Sequence, residues 1–220
     1  MDNFMHYLEA LPKIQRIQNQ KHSAETTSDS PFEQFSNWFE AISTINLLPN
    51  PNAAVLGTAS KNGIPSTRTV LIKPYGEDGF SFYTNLGSHK SQDIISNPHA
   101  SMTIYWPFVE QQIHIVGAVK PLPIEKSEEY FASRPRNSQI GAWASLQGSI
   151  LKNRDELEQK YSFYEKNFGE DEVPLPSHWG GFKLEPPYME FWQAQTGRLH
   201  DRVAYEKSDN GEWLKKVVAP

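Results

Sequence analysis

Cysteine is absent from the 220-residue sequence. Its absence removes disulfides, thiolate catalysis, iron–sulfur clusters and thiolate-ligated zinc in one step, and it fits a reducing, cytoplasmic setting. No apolar run approaches the ~20 residues a helix needs to cross a bilayer, so no membrane partner is expected. The opening M-D-N-F-M-H-Y-L-E-A-L also lacks the basic start and apolar core of a signal peptide, which leaves a soluble cytoplasmic protein as the expectation. Positive charge is not in excess: a formal net charge of -5 argues against general nucleic-acid binding, so any anion site must be local. The seven histidines include no H-x-x-x-H or other tight ligand pair, and no metal site is expected. Neither G-x-G-x-x-G, G-x-x-x-x-G-K-[ST] nor G-x-S-x-G occurs, which leaves a Rossmann site, a P-loop and a nucleophile elbow without support.

Aromatic residues, by contrast, are plentiful. Twelve Phe, nine Tyr and six Trp supply bulky core material, and nothing in the composition divides the chain into two halves. A short N-terminal helix and the polar run from Gln20 to Ser30, which reads as a flexible linker, make up residues 1–29. Order is expected from Ser30, where Ser-Pro forms an N-cap and first helical position before Phe32, Phe35, Phe39 and Ile42 recur on one helical face. The period then changes to two. Ala53 to Ser60 and Ser66 to Lys73 form a hairpin signal around Asn62-Gly63, which would supply the positive φ angles of a tight turn. Further strands are expected at Phe80–Thr84, Ser101–Trp106 and Gln111–Val119, and in the last forty residues. Helices are expected from Ser88 to Asn97, Ile124 to Ser133 and Ile150 to Phe168. Short connections favour antiparallel pairing, so the fold class is mainly β with flanking helices, an antiparallel barrel closed or partly closed to protect its edges.

Within this acidic chain the cations gather at Arg68 and Lys73, at His89 and Lys90, at Arg134 and Arg136, and at Arg198, His200 and Arg202. Gly87-Ser88 ahead of a helix start offers free N–H groups and a favourable dipole end to a phosphate. Arg68 and Lys73, five apart, should face opposite sides of a strand and so serve two anions.

Five stretches together resemble the pyridoxamine 5'-phosphate oxidase family: R-T-V-L-I-K (68–73), F-Y-T-N-L-G-S-H-K (82–90), Y-F-A-S-R-P-R-N-S-Q-I-G-A-W (130–143), V-P-L-P-S-H-W-G-G-F (173–182) and E-F-W-Q with R-L-H-D-R. The resemblance implies an FMN-binding split β-barrel, one domain over residues 30–220 whose C-terminal segment serves dimerisation and substrate, working as a homodimer. FMN would be held by positions matching Arg68, Thr69, Val70, Leu71, Ile72, Lys73, Tyr83, Thr84, His89, Lys90, Gln112, Gln147, Gly148, Trp192 and Arg202. Substrate contacts would come from Lys73, Tyr130, Arg134, Ser138, Arg198, Leu199 and His200, the catalytic pair being Arg198, by the reacting carbon where it orients the pyridine ring, and His200, hydrogen-bonding the substrate or neighbouring groups. The implied reaction oxidises C4' of pyridoxine or pyridoxamine 5'-phosphate by hydride transfer to the flavin, with O2 as acceptor, giving pyridoxal 5'-phosphate, hydrogen peroxide and, from the amine, ammonia. A phenazine-type flavin oxidase and a non-catalytic flavin or pyridoxal phosphate binder are the alternatives.

Three positions depart from the family pattern. His89 stands where Arg is usual, which makes one phosphate contact weaker and pH-dependent near neutrality. Gly148 replaces a Ser, and Asn50 replaces an acidic residue. The first thirty residues show no match to the R-x-x-Y element that closes over the substrate. On an extended segment Arg198, His200 and Arg202 would share one side, leaving Asp201 as a structural partner for a neighbouring cation.

Overall fold

The computed structural model describes residues 2–220. Helix α1 (Asp2–Gln18) is followed by α2 (Pro31–Ser43), where the Ser30 side chain accepts from the Phe32 and Glu33 N–H groups and Pro31 opens the first turn. Strands β1 (Ala53–Ala59) and β2 (Pro65–Leu71) pair antiparallel with Val55 opposite Thr69. Their loop runs from Ser60 to Ile64, and of the Asn-Gly pair only Gly63 takes a positive φ, 79°. The chain continues through β3 (Tyr75–Gly76), β4 (Gly79–Asn85), α3 (His89–Ser96), β5 (His99–Trp106) and β6 (Gln111–Pro121). Three helices then precede the last strands: α4 (Ile124–Ala132), α5 (Arg136–Ala144) and α6 (Arg154–Phe168), then β7 (Trp179–Gln193), β8 (Asp201–Lys207) and β9 (Trp213–Val217).

All strand pairs are antiparallel, and the sheet runs β2-β1-β5-β6-β7-β4-β3, with β8 and β9 branching from β7. Closure comes from the chain just beyond β2: the Lys73 N–H donates to the Ser81 carbonyl at 2.8 Å, and the Ser81 N–H to the Pro74 carbonyl at 3.0 Å. Strand β7 is the reason the barrel splits. Along one edge it stays on β6, while its other edge pairs first with β4 (Trp179 to Leu184) and then with β8 (Tyr188 to Gln193). The change of partner falls at Pro186 and Pro187, which have no N–H to give a ladder. Opposite them Gly117 sits at a register shift, where a Cβ would lie 2.2 Å from the Glu185 carbonyl oxygen; only glycine lets β7 approach so closely.

Leu56, Met102, Ile113, Ile115, Phe80, Phe82, Met189 and Phe191 fill the barrel, and α2 covers it with Phe32, Phe35, Trp38 and Ile42. Helix α1 adds Ala10, Ile14 and Ile17 to the same core. The polar run 20–30 is pinned rather than free. His22 is buried, with its ring 4.9 Å from Trp38 and Nε2 donating to the Phe191 carbonyl; the Tyr205 hydroxyl donates to the Ser28 carbonyl, and Lys215 reaches the carbonyls of Ala24 and Thr27. These partners lie far along the chain, so composition could not disclose them.

Helices α4 to α6 pack outside the barrel on a second apolar cluster of Phe131, Ile140, Val173 and Trp179. Helix α6 begins at Arg154, capped by the Asn153 side chain, not at Ile150, which is almost fully exposed. Helix α5 was not foreseen. Its Asn, Ser and Gly are weak helix formers, and the Gln139 amide anchors it by donating to the Phe131 carbonyl at 2.9 Å.

Candidate active site

At the end of β4 the chain turns through Gly87 and Ser88 into α3. The Ser88 hydroxyl makes no cap to the helix backbone; it accepts instead from the Lys90 ammonium. Lys90 is buried, and its three N–H groups reach Thr84 Oγ1 (3.0 Å), Ser88 Oγ (3.1 Å) and Gln147 Oε1 (2.7 Å). All three acceptors are neutral. Burial, and secondarily the charge of Arg68, therefore push Lys90 down to about 8. A buried ammonium with no counter-ion beside a helix N-terminus is a waiting anion site.

That site opens into a cavity of about 640 Å³. Its lining includes Arg68, Thr69, Val70, Leu71, Lys73, Tyr83, Thr84, Lys90, Tyr130, Arg134, Ser138 and Gln147, so most of the residues singled out between positions 68 and 202 meet in one place. The rings of Tyr83, Tyr130 and Trp179 lie nearly parallel in one cluster, with the Tyr83 centroid 4.1 Å from that of Tyr130 and 5.4 Å from that of Trp179, and those two 6.1 Å apart. Tyr83 can lie flat because Gly181 is opposite it in β7; a Cβ there would stand 2.7 Å from the ring. Lys73 Nζ lies 5.5 Å from the Tyr130 ring centre, and the Arg134 guanidinium 4.9 Å from that of Trp179. Arg134 Nη1 is buried with no hydrogen-bond partner among the described residues. Desolvation lowers the Arg134 pKa, but a guanidinium stays charged, so this is a second cation awaiting an anion.

Strand β2 ends at Leu71, before Lys73, and Arg68 and Lys73 line one and the same cavity, which alternation along an ideal strand does not anticipate. Ile72 points into the core at 3% exposure, and His89 turns away from the cavity towards Asp93. Gly148, with a φ of 94°, stands outside the cavity lining.

The remaining residues form a separate group on β6, β7 and β8. Gln112 pairs with Trp192, whose ring centre is 4.7 Å from that of His200, and Arg202 lies across from Trp192. Arg202 is already engaged: Nε and Nη2 form a fork on the Glu190 carboxylate at 3.0 and 2.8 Å, and Nη1 donates to the Ala219 carbonyl. Burial opposes ionisation of Glu190, but hydrogen bonds from Arg202 and Tyr188 outweigh it and hold the carboxyl below its usual range. His200 Nδ1 accepts the Gln195 N–H at 3.1 Å, which leaves its ring proton on Nε2 as a donor.

Two expectations for this stretch need correction. Arg198 is not extended; it ends a 3₁₀ turn, Thr196–Arg198, with a φ of 62° after Gly197 at 66°. Asp201 accepts from the Gln195 amide at 2.7 Å, and no cation is bonded to it among the described residues. None of Gln112, Trp192, Arg198, Leu199, His200 or Arg202 lines the cavity of its own chain. Sequence reasoning assigned no role to Asp93, Trp179 or Glu190; Trp179 and Glu190 lay within the motifs named above, whereas Asp93 carried no signal apart from its partners.

Residues 44–164 match the family model described as pyridoxamine 5'-phosphate oxidase, and residues 179–220 match that of the pyridoxine 5'-phosphate oxidase C-terminal dimerisation region. The pyridoxine/pyridoxamine 5'-phosphate oxidase of Salinibacter ruber is 44% identical over 200 residues, covering 90% of this chain and 93% of its own. The chain belongs to the pyridoxamine 5'-phosphate oxidase family. Another member, from Salinispora arenicola, is 45% identical over 86% of each chain. Among solved structures, PhzG from Burkholderia lata in complex with tetrahydrophenazine-1-carboxylic acid matches with a TM-score of 0.84 at 27% identity, covering 92% of this chain and 98% of its own. A pyridoxamine 5'-phosphate oxidase-related, FMN binding protein from Nostoc punctiforme shares the fold at a TM-score of 0.72 and 17% identity, covering 88% of this chain and 100% of its own. The oxidase family's split barrel is thus the architecture built above. Among the described residues, no helix is long and apolar enough to cross a membrane.

Proposed function

We propose that the protein is an FMN-dependent oxidase that converts pyridoxine 5'-phosphate or pyridoxamine 5'-phosphate to pyridoxal 5'-phosphate, acting in the cytoplasm as a homodimer in vitamin B6 biosynthesis and salvage. One observation carries this reading: a single cavity holds the buried Lys90 and the half-buried Arg134, whose Nη1 is itself buried, and neither has a carboxylate partner among the described residues. A reaction between a phosphorylated cofactor and a phosphorylated substrate needs two such sites. The donor set at Lys90 fits the FMN phosphate, because an ammonium ringed by neutral oxygens, the Arg68 guanidinium and the α3 N-terminus all favour a dianion. The second set, Arg134 with Lys73, Tyr130 and Ser138, fits the substrate phosphate.

When bound, FMN supplies the redox chemistry, taking a hydride from C4' and passing electrons to O2, so that peroxide forms and the amine substrate, with water, releases ammonia. The chain's own residues bind and orient. Arg134 and Lys73 fix the substrate phosphate, and stacked Tyr83, Tyr130 and Trp179 exclude water from one wall. His200 offers its Nε2–H and Arg198 its guanidinium to the substrate ring. Because Trp192, Arg198, His200 and Arg202 lie outside the cavity of their own chain yet inside the dimerisation region, a second subunit would bring them to it. The exposed outer residues Val55, Leu71, Tyr105 and Val116 offer the apolar surface for that contact.

Reconstitution with FMN followed by incubation with pyridoxine 5'-phosphate is expected to give pyridoxal 5'-phosphate and peroxide in equal amounts. Protein that binds FMN yet yields neither product from either substrate would be a binder, not an oxidase. A pH dependence also follows. Anion binding favours protonated Lys90, whose pKa in the free protein is about 8, so FMN affinity should be flat from roughly pH 7 to 8 and decline above it. Fluorescence titrations of FMN between pH 7 and 9.5 check this; in Lys90→Gln the decline above pH 8 should vanish, and an unchanged decline refutes the assignment.

A further inference from the structure

Behind the positive rim of the cavity lies a buried carboxylate that the proposed chemistry does not use. Asp93, on α3, has a side chain only 4% exposed. Its Oδ2 accepts the Thr58 hydroxyl at 2.6 Å and the Ser66 hydroxyl at 3.1 Å. Each hydroxyl owns one proton, and with that proton committed to Asp93 its oxygen can only accept from other neighbours. Both then accept from Arg68: Nη1 donates to Thr58 Oγ1 at 2.6 Å, and Nη2 donates to Ser66 Oγ. A third Arg68 N–H reaches the Leu56 carbonyl at 3.3 Å, which leaves the Nε–H and one Nη2–H uncommitted. The guanidinium itself stands 3.9 Å from Asp93, too far for a direct hydrogen bond, so the link runs through the hydroxyls.

Electrostatics alone gives no reason for a carboxylate here, since a negative charge behind a phosphate site opposes the anion. Orientation does. Burial disfavours the charge on Asp93, but the two hydroxyl donors, with His89 and Arg68, outweigh that cost and keep the carboxyl below its usual range. The group is thus an acceptor only.

We propose that Asp93 is a positioning residue which, by taking the protons of Thr58 and Ser66, turns both hydroxyls into acceptors that aim the free N–H groups of Arg68 into the cavity. The inference rests on the reading that this end of the cavity holds the FMN phosphate. His89 stands at the edge of the same network, its Nδ1 3.7 Å from Asp93 and 3.4 Å from the Ser66 hydroxyl.

The test is FMN dissociation followed by flavin fluorescence quenching in the wild type, Asp93→Ala, Asp93→Asn, Arg68→Met, and Asp93→Ala combined with Arg68→Met. Asp93→Ala should weaken FMN about tenfold or more, Asp93→Asn should stay within about threefold of wild type because it keeps an acceptor oxygen, and Arg68→Met should remove most of the Asp93→Ala effect. A wild type that quenches no FMN fluorescence overturns the cofactor reading, and this inference with it. A wild type that binds FMN, together with an Asp93→Ala protein that binds equally well, an Asp93→Asn protein as weak as Asp93→Ala, or additive effects with Arg68→Met, overturns the positioning role alone. If Asp93→Ala does not fold, Ser66→Ala and Thr58→Val each remove one arm of the relay. Each should then weaken FMN several-fold, and unaltered binding in both overturns the proposal.

Discussion

Replacing Arg134 by Met is expected to lower kcat/KM for pyridoxine 5'-phosphate by about 100-fold or more, mainly through KM, while leaving the protein at least as stable as its parent. The two halves of this result have one cause. Arg134 Nη1 is buried with no hydrogen-bond partner among the described residues, and a buried donor left unmade costs about 1–3 kcal/mol, which the folded protein bears until an anion arrives. A substrate phosphate would satisfy it with a charge-assisted bond, and a hundredfold change corresponds to about 2.7 kcal/mol. Methionine keeps the contacts with Phe131 and Trp179, which the guanidinium now covers, and removes the unsatisfied donor. Steady-state kinetics and thermal melts check the pair of effects. A kcat/KM within fivefold of the parent, or a melting temperature several degrees lower, would mean that Arg134 is a structural cation.

Arg198→Ala should reduce kcat/KM by about two to three orders of magnitude, roughly 3–4 kcal/mol, with FMN affinity unchanged within about twofold. Arg198 makes no hydrogen bond or ion pair among the described residues, so its loss costs the fold little. It also holds a left-handed φ of 62° directly after Gly197, a conformation that costs a non-glycine residue about 1–2 kcal/mol and that persists only where the surrounding turn imposes it. Such strain on an exposed arginine fits a side chain presented to a ligand. Lys90→Ala should do the reverse, weakening FMN first and affecting turnover only through cofactor loss. Flavin titration alongside single-turnover kinetics separates the two, and the opposite ranking would reject the assignment of Arg198 to substrate and Lys90 to cofactor.

Much of the barrel was legible because strands write their burial at period two. The hairpin of β1 and β2, strands β4 to β6, and the capped α2 with Phe32, Phe35 and Ile42 inward all follow from local pattern. Elements that depend on distant partners were not. The run 20–30 is polar by composition, yet Tyr205, 177 residues from Ser28, holds it down. Helix α5 has little propensity of its own and forms where Ile140 can reach Phe131 and Trp179. At the site, the residue types expected of an oxidase were visible one by one, whereas Asp93, outside every motif, looked like an ordinary surface acid, and nothing local tied Glu190 to Arg202.

By itself, the sequence determined the alternation that makes an antiparallel barrel, the family to which the motifs point, and which cations were candidates for two phosphates. Tertiary structure decided which of those cations are free. Among the described residues neither the buried Lys90 nor the half-buried Arg134 has a carboxylate partner, Arg202 is locked in a fork with Glu190, and Arg68 is held through two hydroxyls by Asp93. Charge is a property of a residue, but its availability to a ligand depends on the neighbours that the closed barrel brings within 3 or 4 Å, and several of those neighbours lie 10 to 57 positions away in the chain.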